Sequence, residues 1–435
     1  WQKRGLGDIP WSSFREYISA IDKAQFSINV AVQIGHNAVR SFVMGHYTKR
    51  KTPSLGEMGE MRSLVENAMR AGAVGMSSGL MYIPGFYAET EELIELCKVV
   101  SKWGGIYSTH MRGEANELLQ SVTETIKIAE TARVSTEISH HRAECRVNWG
   151  LIRHTLQMIA DANRRGANVT CDFFPYLACG VGGGIPLPRW TNPLYIPKEE
   201  AMRIIKNPEM REKIKEQLRL GTRLGPEARS YEPVDSMEDV VVTIYPDHPE
   251  LQGKTIVELA GIKGINDPYE LFLDTVTSER PFGIVSFDIW EEDLKTLVKS
   301  PLAMIGIETS FIDDVNKPNR HPRVYGSFPR ILGKYVRDEK ILTWEEAIMK
   351  LSTRPYAKLG IFDRGLIRPG FFADLVLFNP NTVIDRADYS GKAAYPEGIE
   401  YVFVNGEPIV SGGHHTTATP GRLLKGHSSV TNQPE

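Results

Sequence analysis

The sequence has few cysteines, little net charge and no long apolar run, and each shortage excludes a class of protein. Its four cysteines (Cys97, Cys145, Cys171 and Cys179) show neither zinc-finger nor disulfide-framework spacing, so we expect free thiols and a cytoplasmic location. No apolar run approaches the length of a membrane span. A formal net charge of −3 gives no reason to expect nucleic acid or an anionic membrane as a partner. There is also no Walker loop, dinucleotide fingerprint or Gly-x-Ser-x-Gly elbow.

What the sequence does contain is a regular alternation of strand and helix patterns. The first five of six apolar, β-branched segments follow one another at spacings of 30 to 43 residues, the period of a β/α unit. This rhythm predicts an α/β fold of the TIM-barrel type. A closed barrel of this kind needs eight strands, and we expect the other two to precede Trp1. The six segments are 26–36, 73–80, 105–110, 136–141, 168–176 and 302–309.

The β/α rhythm breaks after the fifth segment. About 100 residues are inserted before the sixth, and they include a charged stretch over 198–220 that predicts one helix. The tail predicts short strands joined by a hairpin turn at Asn405-Gly406. We predict barrel strands in 1–180, an inserted subdomain in 181–300, the last barrel strand in 301–365, and part of a β-sandwich in 366–435.

Two segments, IYSTHMRGE and TEISHHRAE, place His110 and His140 30 residues apart, each at the end of an apolar run. Ends of parallel strands share one edge of a sheet, and two imidazoles there are typical of a metal site. Histidines satisfied by local hydrogen bonds are the alternative. The recurrence in successive units, each followed by a basic residue (Arg112 and Arg142), favours the metal site. His141 has the opposite strand parity, so we expect it to point away from the lumen.

A carboxylate, Glu308, is predicted to end the last strand. It is compatible with a metal ligand, with a general base or with a solvated loop residue, and the spacing does not decide between these. Asp313 and Asp314 are competing carboxylates, interpreted as loop residues. Arg323, in the loop that follows, suits a substrate carboxylate because its guanidinium binds bidentately, with a surface ion pair as the alternative.

Two tyrosines are candidates for substrate binding. Tyr176 follows a strand and could donate a hydrogen bond to a substrate oxygen, although simple packing is the alternative. Tyr82 lies in the loop SSGLMYIPGFYAETEEL, which is compatible with a cleft wall or with a tight strand-to-helix connection.

Several of these segments together resemble one family, the N-acyl-D-amino-acid deacylases (D-aminoacylases) of the amidohydrolase superfamily. The resemblance runs from about Gly35 to Leu424. The segments that carry it occur in the family's order: SSGLMYIPGFYAETEEL, YSTHMRGE, ISHHR, CDFFPY, HPRVYGSFPRILGKYVR, RPGFFADLVLF and YPEGIEYVFVNGEPIVSGG.

The resemblance implies a (β/α)8 barrel with a small β-sandwich and an inserted subdomain, binding one or two zinc ions. It implies zinc-dependent hydrolysis of N-acyl-D-amino acids to a carboxylate and a D-amino acid. His110 and His140 match the metal-binding histidines after the fifth and sixth strands. Arg142 stands where the family has Lys, and Tyr176 and Arg323 match positions near the substrate site.

The sequence departs from the family pattern at two points. Glu308 replaces the aspartate that serves the family as catalytic base, which lengthens the side chain by one methylene. The family's first strands carry a His-x-His or His-x-Asp metal pair and a cysteine ligand, which we expect upstream of Trp1.

Two alternatives stay open at this point. One is a cyclic-amide hydrolase resembling dihydroorotase or hydantoinase. The other is a non-catalytic barrel that serves as a binding or scaffold protein. The enzyme hypothesis implies a small N-acyl amino acid as substrate and no nucleic-acid or membrane partner, and it leaves the oligomeric state open.

Overall fold

Strands and helices alternate along most of the chain. The computed structural model describes residues 11–180, 186–193, 195–221, 234–278, 283–309, 321–390 and 394–426. The strands are β1 (Val30–Ala31), β2 (Gln33–Gly35), β3 (Gly75–Gly79), β4 (Ile106–His110), β5 (Ser135–Ile138), β6 (Val169–Phe173), β7 (Ala178–Gly180), β8 (Val240–Ile244), β9 (Gly283–Phe287), β10 (Ala303–Ile305), β11 (Leu375–Phe378), β12 (Ile399–Val404), β13 (Glu407–Ser411), β14 (His414–His415) and β15 (Leu423–Leu424).

Helices connect these strands. They are α1 (Phe14–Lys23), α2 (His36–Met44), α3 (Leu55–Ala71), α4 (Thr90–Lys102), α5 (Leu118–Ala132), α6 (Leu151–Arg164), α7 (Lys198–Lys206), α8 (Pro208–Leu220), α9 (Ile256–Ile262), α10 (Pro268–Thr277), α11 (Glu291–Lys299), α12 (Arg323–Arg330), α13 (Trp344–Ile348) and α14 (Arg354–Lys358), with π-helical stretches at Ile331–Asp338 and Met349–Thr353.

Six strands of the described ranges form one parallel sheet, in the order β10-β6-β5-β4-β3-β2. Each of the six predicted segments supplies one of these strands, so the predicted strand count is confirmed. Neighbouring strands in the run from β2 to β6 are also consecutive units of the chain. The helices between these strands, α2 and α4 to α6, pack against them.

Three predicted elements differ from the structure. The segment 26–36 forms only β1 and β2, because His36 already begins α2. The segment 302–309 forms only β10, which ends at Ile305. The predicted single helix over 198–220 is divided into α7 and α8, because Pro208 cannot continue a helix and Asn207 caps the second one through Met210 N–H.

The core lies between the parallel sheet and its helices. On α5, Leu118, Val122, Ile126 and Ala129 form an apolar face and pack into one buried cluster with the strands. Burial of each larger aliphatic side chain contributes about 1.5–3 kcal/mol. This packing fixes the strand ends on which the polar site is built.

The insertion contains its own antiparallel sheet, in the order β7-β9-β8, with a separate apolar cluster. Its first strand, β7, precedes residue 181, so this sheet draws one strand from the segment predicted as barrel. The four predicted units remain a prediction.

The tail forms a four-stranded antiparallel sheet, in the order β11-β12-β13-β14. Its predicted hairpin turn is confirmed: Asn405 and Gly406 have φ of 51° and 88° between β12 and β13. Such φ values suit a two-residue turn of this type. Among the described residues, no helix combines the length and apolarity that a bilayer crossing would need.

Candidate metal centre

His110 and His140 lie at the carboxyl ends of neighbouring parallel strands. Strands β4 and β5 pair with Thr109 opposite Ile138, so both histidines emerge at the same edge. His140 lies two residues beyond β5 with φ of 40°, and its backbone N–H donates to Asp172 Oδ1 at 2.8 Å. This left-handed backbone is costly for a residue with a side chain, and Asp172 holds it in place.

The two imidazoles face each other through single nitrogen atoms. Nδ1 of His110 lies 2.9 Å from Nε2 of His140, and the ring centroids are 4.5 Å apart. Both residues are buried, with 9% and 6% of their surface exposed. Burial lowers the pKa of His110 to about 3, which keeps its ring neutral and able to act as a ligand.

These facing nitrogens fit a zinc ion. Two imidazole nitrogens bound at 2.0–2.1 Å to a tetrahedral zinc lie about 3.3 Å apart, so the pair needs to open by only about 0.4 Å. The second nitrogen of His110, Nε2, is buried and has no hydrogen-bond partner among the described residues. The ring of His110 is therefore held by one polar contact among the described residues, and a cation between the two rings would replace that contact.

A carboxylate, Glu114, stands behind His140. Its Oε1 lies 3.0 Å from Nδ1 of His140, and its Oε2 lies 2.7 Å from Nη2 of Arg142. Burial alone would raise the pKa of Glu114, but Arg142, His140 and His110 together lower it. Although a ligand atom of Glu114 lies within 4.8 Å of one nitrogen of each histidine, its contact of 3.0 Å is with the nitrogen of His140 that faces away from His110. This geometry suits a carboxylate that orients a ligand rather than one that binds the metal.

Sequence reasoning missed Glu114, although a signal was present. It is the fourth residue after His110 in HMRGE, and Glu144 has the same position after His140 in HHRAE. Each glutamate follows its histidine at the same spacing. It was missed because the strand pattern used to find the histidines does not extend into the loops that carry the glutamates.

Glu308 reaches the histidine pair from the loop after β10. Its Oε1 lies 3.9 Å from Nε2 of His140, and its Oε2 accepts a hydrogen bond of 2.7 Å from Nη1 of Arg323. Burial alone would raise the pKa of Glu308, but His140, Arg323 and Arg142 lower it to about 2. The expectation that Glu308 ends the last strand was wrong, because β10 ends three residues earlier and Glu308 has φ of 39°.

The residues predicted to contact substrate lie at different depths. Tyr82 packs its ring 4.9 Å from the ring of His110, measured between centroids. Arg323 does not contact the two histidines directly, but it donates a hydrogen bond to Glu308, which lies beside His140. Arg142 is only 4% exposed and is engaged by Glu114, Glu144 and His140.

The remaining candidates lie away from the pair. The hydroxyl of Tyr176 donates to Asp385 at 3.0 Å and is buried. His141 points outward, as its parity predicted, and its Nε2 lies 2.7 Å from Oγ1 of Thr155 on α6. Asp313 and Asp314 fall outside the described residues.

Comparisons with known proteins point to a single group. A sequence model described as the amidohydrolase family matches residues 285–410. The D-aminoacylase of Alcaligenes xylosoxydans xylosoxydans is 31% identical over 418 residues, which cover 96% of this chain and 74% of the relative. The N-acyl-D-glutamate deacylase of the same organism is 30% identical over 437 residues, covering 99% of this chain and 76% of the relative.

A solved structure agrees with these relatives. It is the N-acyl-D-glutamate deacylase from Bordetella bronchiseptica, in complex with zinc and a phosphonate inhibitor that mimics the tetrahedral intermediate. It superposes with a TM-score of 0.75 at 28% identity, covering 97% of this chain and 77% of the solved chain.

Proposed function

The chain belongs to the D-aminoacylase and N-acyl-D-amino-acid deacylase family of amidohydrolases, and from this premise we propose that it hydrolyses the amide bond of N-acyl-D-amino acids with bound zinc. The predicted fold class was a TIM-type amidohydrolase barrel with a small β-sandwich and an inserted subdomain. The amidohydrolase barrel is confirmed by the same relatives and by the six-stranded parallel sheet, and the small β unit is present as a four-stranded antiparallel sheet. The observation that carries the proposal is the buried pair of facing nitrogens, Nδ1 of His110 and Nε2 of His140, with Glu308 beside it.

Each residue of the site has a proposed role in metal binding or in hydrolysis. His110 and His140 would hold zinc, and Glu114 would orient His140 through Nδ1, so that Nε2 faces the metal. Zinc, when bound, supplies an activated water and polarises the acyl carbonyl. Water and the amide are consumed, and a carboxylate and a free amine are formed.

Glu308 is the proposed general base. It would take a proton from the attacking water and deliver it to the leaving nitrogen. In the structure its Oε2 is held by Arg323. A substrate carboxylate that binds the guanidinium of Arg323 would compete with Glu308 and release it for proton transfer.

Tyr82 and Arg323 are the proposed substrate contacts closest to the histidine pair. Arg142 and Tyr176 remain predicted contacts, but to bind substrate they would have to exchange their present carboxylate partners, Glu114 and Asp385. The absence of disulfides among the four buried cysteines supports the proposed cytoplasmic location.

The test is hydrolysis by the zinc-loaded full-length protein, followed as release of primary amine. We expect amine from N-acetyl-D-amino acids, little from the L enantiomers, and about one zinc or more per chain. His110→Ala should lower both zinc content and amine release. His154→Ala, an exposed histidine on α6, is the matched control and should change neither.

Three outcomes would contradict the proposal. Less than about one zinc per chain without amine release would favour a binding or scaffold protein. Faster hydrolysis of a cyclic amide would favour the hydantoinase-like alternative. Unchanged zinc content in His110→Ala would contradict the ligand assignment.

A further inference from the structure

A second cluster of metal-ligand side chains lies beyond Arg142, apart from the histidine pair. Glu144 comes from the loop after β5, Cys179 from β7, and Asp288 directly follows β9. Each offers a ligand atom within 4.8 Å of the other two. All three residues are buried, with 0%, 2% and 3% of their surface exposed. The antiparallel pairing of β7 with β9, in which Ala178 lies opposite Phe287, brings the cysteine beside the aspartate.

Two carboxylate oxygens in this cluster are buried without a hydrogen-bond partner. Oε1 of Glu144 accepts from Nε of Arg142 at 2.9 Å, whereas Oε2 has no partner among the described residues. Oδ1 of Asp288 is likewise unpartnered, although the Asp288 backbone carbonyl accepts from Cys145 and Trp149. A buried polar group without a partner is destabilising, so both oxygens would gain from a bound cation.

We propose that Glu144, Cys179 and Asp288 form a separate binding site for a divalent cation of the zinc class. A thiolate and two carboxylates are donors that zinc accepts, with a fourth position left for water. Sγ of Cys179 lies 3.7 Å from Oε1 of Glu144, so the thiol lies beside this carboxyl group. Arg142 keeps its contact with Oε1, which leaves Oε2 for the cation.

The position of the site gives it a structural role. Glu144 lies in a loop of the barrel, while Cys179 lies in the antiparallel sheet of the insertion and Asp288 directly follows that sheet's strand β9. A cation bound by all three would therefore join the insertion to the barrel loop that carries His140 and Arg142.

The alternative is a cluster of neutral acids. Burial raises the pKa of Glu144 and of Asp288, which shifts both carboxyl groups toward the neutral form. Cation binding would release the protons of the thiol and of any neutral carboxyl group to solvent.

The test is anaerobic titration of the full chain with Co²⁺ in a His110→Ala/His140→Ala background, which removes the histidine pair. We expect about one cobalt per chain and the near-ultraviolet charge-transfer band of a cobalt–thiolate bond. Adding Cys179→Ser should abolish the band. Adding Cys97→Ser, a buried cysteine on α4, is the matched control and should leave the band intact.

Absence of the band, or its persistence in Cys179→Ser, would overturn the proposal. If circular dichroism shows that Cys179→Ser does not fold, X-ray absorption on the double-histidine variant decides the question. One sulfur at about 2.3 Å with oxygen neighbours is the expected metal environment, and a shell without sulfur would overturn the proposal.

Discussion

The loops after β4 and β5 carry the same residues at the same spacing, His-x-Arg-x-Glu, yet their side chains have different partners. After β4, Arg112 binds Glu124 on α5 and backbone carbonyls of the preceding loop. After β5, Arg142 is buried between Glu114 and Glu144. The exposed side-chain fractions, 26% for Arg112 and 5% for Arg142, reflect this difference.

The difference follows from the order of the strands in the sheet. Glu114 contacts the residues after β5, and Glu144 lies next to Cys179 and Asp288 of the inserted sheet. Each glutamate therefore serves the unit that follows it. The loop after β5 lies between the loop after β4 and the insertion. Its residues therefore contact both, and the same residue spacing in the two loops leads to different contacts.

The largest expected effect concerns the carboxylate that both loops face. Glu308→Gln should reduce the rate of amide hydrolysis by about 10²–10⁴-fold, because it removes the proposed general base. Zinc content should stay unchanged, since the two histidines are intact. Steady-state kinetics together with metal analysis would check this, and a variant that loses zinc would make Glu308 a ligand instead.

The two arginines should differ in their contribution to stability. Arg142→Met should lower the free energy of unfolding by about 3–5 kcal/mol, because it leaves buried carboxylates unpaired. Arg112→Met should cost only about 0.2–1 kcal/mol, because its ion pair is partly solvated. Urea unfolding of both variants would measure this difference, and equal losses would contradict the distinction between the loops.

The two strands should also differ in their response to pH. Ser108 on β4 lies opposite Glu137 on β5, where burial and the neighbouring Asp172 raise the pKa of Glu137 from 4.5 to about 8. The folded protein therefore binds more protons than the unfolded chain between these values, and its stability falls as pH rises through this window, by up to about 1.4 kcal/mol per pH unit.

Glu137→Gln should reduce the slope of that dependence, and Ser108→Ala should leave it unchanged. Unfolding midpoints measured from pH 5 to pH 8 would show this. An unchanged slope in Glu137→Gln would assign the dependence to other groups.

The smallest expected effect concerns the carboxylate that joins the two loops. Glu114→Gln should weaken zinc binding by about 10–100-fold, because the amide orients His140 less well than the carboxylate. Glu124→Gln, which removes the partner of Arg112, should leave zinc affinity unchanged. Competition with a chelator would measure both affinities, and equal losses would show that Glu114 has no special relation to the site.

The sequence predicted the strand ends better than the contacts between them. His110 and His140 were identified because a buried parallel strand has a recognisable apolar pattern and a definite end. The ion pair between Glu308 and Arg323 could not be predicted, since it depends on the path of the loop between them.

The cluster of Glu144, Cys179 and Asp288 could not be predicted from the sequence either. Its members are widely separated in sequence and meet only because β7 pairs with β9. Strand patterns reveal that such strands exist but not which strand pairs with which, so sites between a barrel and an insertion require the structure.

The most direct test of the account is a crystal structure of the full chain with zinc bound. We predict zinc at about 2.0–2.1 Å from Nδ1 of His110 and Nε2 of His140, with Glu114 still hydrogen-bonded to the other nitrogen of His140. Zinc bound through Nδ1 of His140, or directly by Glu114 in place of one histidine, would contradict the assignment.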